Sequence, residues 1–447
     1  MKILFIENRY RTRFWDEVAG ELSQDGHEVS FLVQNHWFKP RHGKVTLLPY
    51  PGRDNGADIS DTDRELIKSD RNINYFHHRE TAHYPWYRKS IRDYLDRERP
   101  DVVFGESTAF HELITISLCQ ELSIPYLQPS TCRFPTGRFS FYRYDTLEPF
   151  FGSDEVLPDR DALNLIDSIV HRSIKPDYMH KRMVTFATRW KRWADLVHLS
   201  AGYLGGERYN TPAPWIKLRI ERKKKELIGR WDALAEERSG HLSESRFRIL
   251  YPMQMQPEAN LDVWGRPYRD QLETIRQLVA RTPPDVQILV KPNPKSKYEL
   301  TESLLTYLAS EERVIPVAHS VQMGKVLPLA GMVVTVTGTI AIECILADIP
   351  VVTMIKTLNN SSENCLWAAS FDQIPPCLEM ARNGVFPKTE NRAKIDFLNL
   401  LNRTSFRGLP YEAFLTEENI KDCMIAFRKV LRHMEVNGFA EGCTSGR

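Results

Sequence analysis

At 447 residues, with 42% apolar and 11% aromatic side chains, the chain is long enough for roughly two to three cored domains, and intrinsic disorder is excluded. Its 60 basic and 58 acidic side chains leave a formal charge of +2, which excludes a global field for nucleic acid and leaves anion binding to local placement. Seven cysteines (Cys119, Cys132, Cys344, Cys365, Cys377, Cys423 and Cys443) show no C-x-x-C pair, so reduced structural thiols are expected, without a metal site or a bound cofactor.

The N-terminus, MKILFIENRYRTRFW, turns polar after about five apolar residues, and no run approaches the ~18 apolar residues of a membrane span. A soluble, cytoplasmic protein is expected, with the inner face of the membrane also within its reach. Residues 2–6 have the pattern of a buried strand, followed by a helix over 15–25, a turn at Gly26 and a second strand over 28–33. Strand, helix, strand in this order implies a parallel sheet. Further strands are predicted at 45–49, 101–105, 125–128 and 196–200, with helices at 87–98 and 110–122. Residues 1–211 therefore form one α/β domain.

Residues 212–245 change texture to a charged helical connector with a Ser-rich end. A second strand series follows at 248–253, 286–291, 313–317, 332–336 and 351–355, giving a second α/β domain over 246–410. The tail, 411–447, carries a helical apolar stripe at Ile420, Cys423, Met424, Phe427, Val430 and Leu431, as expected of a helix packing back on the first domain. The predicted architecture is α/β: two Rossmann-like, doubly wound domains facing a central cleft.

Ligands of open α/β sheets bind outside the carboxyl ends of the strands, so functional side chains are expected there. Thr337, Gly338 and Thr339 form a small turn between a buried strand and a short helix, offering N–H groups, hydroxyls and a positive dipole end to a phosphate. Glu343, one helical turn on, suits a sugar hydroxyl. In YPMQMQPE, Gln254, Gln256 and Glu258 suit a base or ribose. In LVKPNP, Lys291 stands at a strand end beside Asn293, held extended by Pro292 and Pro294, a pair suited to a phosphate or a sugar carboxylate. His319 and Ser320 end another strand as a phosphate donor or general acid. Each of these also has a plain structural alternative: a close-packed turn, a polar loop, a solvated lysine, a packed histidine.

The order PMQMQPE, VKPNP, TGTIAIE and IPVV resembles the capsule and surface polysaccharide biosynthesis family, whose members include bacterial Kdo transferases. The likeness is best over residues 248–354. A weaker echo covers PDVVFGESTAFHE and the later stretch in which Arg133 and Arg138 frame a Pro-Thr-Gly turn. The resemblance implies a GT-B glycosyltransferase, with a nucleotide-sugar donor (CMP-Kdo in the best-known members) on the C-terminal domain. A glycan or lipid-linked glycan acceptor belongs mainly to the N-terminal domain, where Ser107, His111, Arg133 and Arg138 stand. The chain departs from the family's Lys-x-His-Pro pattern by placing Asn293 where the imidazole stands, which leaves the donor open.

Glycosyl transfer needs a general base or a nucleophile near the anomeric carbon, and Glu106, at the end of a first-domain strand, is the candidate catalytic residue. Capping the following helix or orienting His111 is its structural alternative. Glu7, beside the basic stretch 8–13, is the second acid. The basic run 217–225 suits anionic lipid, whereas interleaved Glu221 and Glu226 suit a solvated helix. His77, His78 and His83 read as part of a polar acceptor loop. Two rivals keep the same architecture: a hydrolysing nucleotide-sugar epimerase, and a non-catalytic assembly protein, which Asn293 favours.

Overall fold

The structure, a computed structural model, describes residues 1–7, 12–35, 39–51, 58–174, 177, 186–243 and 245–439. Cys443 and residues 8–11 of the basic stretch beside Glu7 lie outside them. The described strands are β1 (Lys2–Glu7), β2 (Glu28–Val33), β3 (Lys44–Leu47), β4 (Val102–Phe104), β5 (Tyr126–Thr131), β6 (Arg138–Arg143), β7 (Phe247–Pro252), β8 (Val286–Lys291), β9 (Val314–Pro316), β10 (Met332–Thr335), β11 (Val351–Thr353), β12 (Cys365–Trp367) and β13 (Phe406–Arg407).

They make two sheets, ordered β13-β6-β5-β4-β1-β2-β3 and β12-β11-β10-β7-β8-β9. In the first, β5, β4, β1, β2 and β3 pair in parallel, and β6 runs antiparallel to both β5 and β13. Every pairing in the second is parallel. Counting β7 as the first strand, that sheet runs 6-5-4-1-2-3, the doubly wound order in which the strand sequence reverses direction between β7 and β10. The first sheet reverses in the same way between β1 and β4. The protein is therefore built from two parallel-sheet, Rossmann-like α/β domains.

The chain divides into two compact units. The first comprises Met1–Val156, Pro176–Lys217 and Leu401–Arg447; the second comprises Leu157–Lys175 and Leu218–Leu400. Ile3, Phe5, Phe31 and Phe104 fill the core of the first together with Met424, Phe427, Val430 and Leu431 of the C-terminal helix Glu417–Asn437. In the second, Ile249, Ile288, Val334 and Val352 pack with Leu227, Trp231 and Ala235. Those last three belong to the helix Pro214–Arg238, so the stretch read as a connector is in good part a core element. Trp231 Nε1 fixes it by donating to the Val317 carbonyl at 3.0 Å.

Two local readings are corrected. Residues 196–200, expected as a strand, lie within the helix Phe186–Leu204, where spacing over nineteen residues outweighs a five-residue apolar run. The segment 157–175, expected in the first domain, joins the second through the helix Asp159–Val170, which buries Ala162, Ile166 and Ile169. Among the described residues no helix is long and apolar enough to cross a membrane.

Candidate functional site

In the second unit the reversal point between β7 and β10 is a knot of small polar side chains. Thr337 is buried, with Oγ1 2.8 Å from the Asn260 carbonyl and 3.1 Å from Gln254 Oε1, so the turn after β10 is tied to the loop after β7. A Cβ on Gly338 would lie 2.0 Å from Thr335 Oγ1, and only glycine fits there. Thr339 is exposed at the N-cap of the helix Ile340–Leu346. Glu343, one turn along, is buried and ion-paired with Arg172, a partner 171 residues away that local pattern does not reveal.

The neighbouring loop contains Gln256, which is buried and fully engaged. Its Nε2 donates to Asp262 Oδ1 at 2.8 Å and to the Arg269 carbonyl at 2.9 Å, and its Oε1 accepts from Gln271 Nε2 at 3.0 Å. This amide holds the loop in shape and leaves no donor over for a base. Glu258 is part-exposed and pairs with Lys297 Nζ at 3.1 Å.

Lys291 ends β8 and is 1% exposed. Its Nζ donates to the Pro292 carbonyl at 2.9 Å and the His319 carbonyl at 3.3 Å. Burial pulls its pKa down to about 8, against the opposing pull of Asp232. A desolvated ammonium held by two neutral carbonyls gains by meeting an anion. Asn293 forms the turn beyond it: its Oδ1 accepts the Lys295 N–H at 2.9 Å, and its carbonyl accepts the Ser296 N–H at 3.0 Å.

His319 belongs to a relay that the sequence did not disclose. Its Nδ1 lies 2.9 Å from Asp232 Oδ1, its backbone N–H donates to the same oxygen at 2.8 Å, and its Nε2 lies 3.1 Å from Ser296 Oγ. The carboxylate fixes a proton on Nδ1, and Ser296 Oγ, which donates to the Asn293 carbonyl at 3.0 Å, holds the other side of the ring. The relay thus fixes the carbonyl of His319 and, with it, Lys291. Ser320 is exposed in the turn that follows.

The first unit's reversal point carries carboxylates instead. After β4 the chain passes Gly105, where a Cβ would lie 2.4 Å from Ile6 Cγ2 and from the Tyr126 hydroxyl. Tyr126 donates to the Glu106 carbonyl at 2.5 Å. Glu106 is half-buried and accepts from Thr108 Oγ1 at 3.2 Å. Buried Glu112 reaches back to the helix start, accepting from the Ala109 N–H at 2.7 Å and the Thr108 N–H at 2.9 Å. Burial first, and the Glu106 charge second, push its pKa up to about 7. The capping role considered for Glu106 therefore belongs to Glu112, and its one sequence signal was an acid three residues after the N-cap position. Glu7, at the end of β1, is buried and accepts from Thr12 Oγ1 at 3.0 Å.

The other first-unit candidates have structural partners. Ser107 donates to Gln128 Oε1 at 2.6 Å. His111 is buried, with Asn210 Nδ2 2.9 Å from its Nδ1, and burial pulls its pKa down to about 3, so it is a neutral imidazole. Arg133 lies with its guanidinium carbon 5.7 Å from the Phe134 ring centre. Arg138 is no turn-framing cation. Its guanidinium donates to Ser405 Oγ at 2.8 Å, Glu155 Oε2 at 2.7 Å, Ser153 Oγ at 2.8 Å and the Ser405 carbonyl at 2.8 Å, clamping the chain around β13. His77 is an exposed left-handed helix cap, whereas His83 is buried with its ring centre 4.4 Å from that of Tyr209. Burial pulls His83 down to about 3, which makes it an aromatic core residue rather than part of an acceptor loop. Among the described residues no group of three or more His, Cys, Asp or Glu is arranged for a metal ion.

No family model matches the chain, and no curated protein matches it. Solved structures aligned with it include the UDP-GlcNAc 2-epimerase from Methanocaldococcus jannaschii, at 12% identity over 90% of this chain and 99% of that one, TM-score 0.28. MurG from Acinetobacter baumannii aligns at 10% identity over 96% and 99%, TM-score 0.27. The UDP-N-acetylglucosamine 2-epimerase from Rickettsia bellii aligns at 11% identity over 99% and 100%, TM-score 0.30. The architecture stands on the strand orders described above.

Proposed function

We propose that this chain is a nucleotide-sugar-dependent glycosyltransferase of the GT-B kind, transferring a sugar to a surface polysaccharide or a lipid-linked glycan. The observation that carries the proposal is the second unit's reversal point, where a glycine-tight Thr337–Gly338–Thr339 turn and a desolvated Lys291 stand at carboxyl strand ends of one doubly wound sheet. In this reading Lys291 and the turn's N–H groups counter the charge of the leaving phosphate, with no metal ion required. Glu343, held by Arg172, and Glu258 take ribose hydroxyls. The first unit handles the acceptor, and Glu106 removes the proton of the attacking hydroxyl. CMP-Kdo is the donor that the sequence resemblance suggests.

A second reading rests on Glu112, whose pKa is pushed up to about 7 by burial and by Glu106. A buried carboxyl that can hold or release a proton near neutrality suits exchange of hydrogen at a sugar carbon, the chemistry of a nucleotide-sugar epimerase. Melting curves with CMP, UDP, GDP and their sugars test both readings, since a bound nucleotide raises the melting temperature by mass action. If none of them shifts it, the enzyme proposal fails. An epimer formed in the absence of any acceptor selects the second reading over the first.

A further inference from the structure

An arginine reaches the second unit's site from outside the strand ends. The helix Asp159–Val170 buries Ala162, Ile166 and Ile169 and lies against the helix Ile340–Leu346, which carries Glu343. Two residues past the end of the first helix, Arg172 takes a left-handed backbone with φ +55°, a conformation that favours glycine and strains any other residue. Its N–H donates to the Ile169 carbonyl at 3.1 Å, so the turn is closed and the side chain is aimed at Glu343. Space for the stem comes from Gly324, in the short helix Met323–Val326 after β9, where a Cβ would lie 3.2 Å from Arg172 Cδ.

The ion pair is lopsided. The Glu343 side chain is 5% exposed and that of Arg172 is 31% exposed. Arg172 Nη2 holds Glu343 Oε2, and among the described residues the guanidinium has no other hydrogen-bond partner. A guanidinium offers five N–H donors in a planar fork, and its strongest grip on a carboxylate uses two of them in parallel. Here the grip is end-on, which turns the outer edge of the fork, with its remaining donors, toward a second anion. A mere staple between two helices gains nothing from a strained backbone or from donors left outside the pair.

We infer that Arg172 is the specificity-determining cation of the second unit's site: while Glu343 takes the ribose hydroxyls, the outer edge of the guanidinium takes the phosphate of the nucleotide. The inference rests on the proposed reading of Glu343 and adds that the site selects nucleotides over nucleosides through Arg172. Calorimetry of the full chain with CMP, UMP and GMP, and with cytidine, uridine and guanosine, tests it. The wild type is expected to bind one monophosphate about tenfold or more tighter than its nucleoside. Arg172→Gln should remove most of that ratio at an unchanged nucleoside affinity, and Arg172→Lys, which keeps the charge without the fork, should keep part of it. Arg172→Gln also strands the buried Glu343 without its counter-charge and lowers the melting temperature. The double variant Arg172→Gln with Glu343→Gln removes both charges and should regain the melting temperature while the ratio stays lost. A ratio unchanged in both variants overturns the inference and leaves the reading of the site standing. So does an equal loss of monophosphate and nucleoside affinity in Arg172→Gln, because Arg172 then only positions Glu343. A wild type that binds none of these compounds overturns the inference together with the proposed function.

Discussion

The two reversal points solve the same topological problem with opposite chemistry. In the first unit Glu7 and Glu106 follow strand ends and Glu112 stands in the first turn of the next helix, with a neutral His111 beside it in sequence; in the second, Lys291, Gln254 and the Thr337 turn stand at strand ends. Burial acts on both and raises the energy of the charged form in each. It pushes the Glu112 carboxyl up to about 7 and pulls the Lys291 ammonium down to about 8, so each group titrates near neutrality. One doubly wound scaffold thus carries a buried carboxyl near one reversal point and a buried ammonium at the other, each shifted toward neutrality by the same desolvation.

The strongest way to break this contrast is Lys291→Met. An unfolded lysine titrates near 10.4, so a folded value of about 8 means that the unfolded chain holds the proton more tightly. Stability is therefore expected to rise with pH between those values, and the penalty is fully present below 8. Removing the charge should lift that penalty and flatten the rise with pH, offset in part by the loss of the donor to the Pro292 and His319 carbonyls, and it should abolish any nucleotide-induced melting shift. A variant that still responds to nucleotide would reduce Lys291 to a structural residue.

For Glu112 the sign is reversed. Its folded pKa lies above its unfolded value of about 4.3, so the folded state binds the extra proton and stability falls as pH rises from there to about 7. Glu112→Gln should flatten that fall, a difference of roughly 2 kcal/mol at pH 8, readable in denaturant midpoints across pH. Equal slopes for both proteins would show that the carboxyl is not raised.

Gly338→Ala sharpens the second reversal point alone. The new Cβ must displace Thr335 Oγ1 from 2.0 Å, at a cost of about 2 kcal/mol and with weakened nucleotide response. Unchanged stability would mean that the turn yields freely. The smallest effect is expected from Asp232→Asn, which loosens the His319 relay by about 1 kcal/mol and displaces Lys291 only indirectly. A loss of nucleotide response as complete as that of Lys291→Met would place Asp232 in the binding step itself.

Much of the framework was legible in the sequence, because a parallel strand covered on both faces must be a short β-branched run whatever its neighbours are. The predicted strands at 28–33 and 286–291 coincide with β2 and β8. Strands β6, β12 and β13 escaped notice, since β13 is two residues long and β6 and β12 lack an extended apolar run. The five-residue run at 196–200 misled because a short apolar stretch fits strand and helix alike.

The sequence by itself determined most of the parallel strands of both sheets and the residues at their ends, since periodicity and β-branching act over a few neighbours. Only the tertiary structure decided what those residues do. Arg172 meets Glu343 across 171 positions, and Asp232 meets His319 across 87. Arg138 is occupied by Ser405 and Glu155 rather than held out to solvent. Desolvation and charge pairing set the proton affinity of a buried group, and both depend on neighbours that only the folded chain supplies.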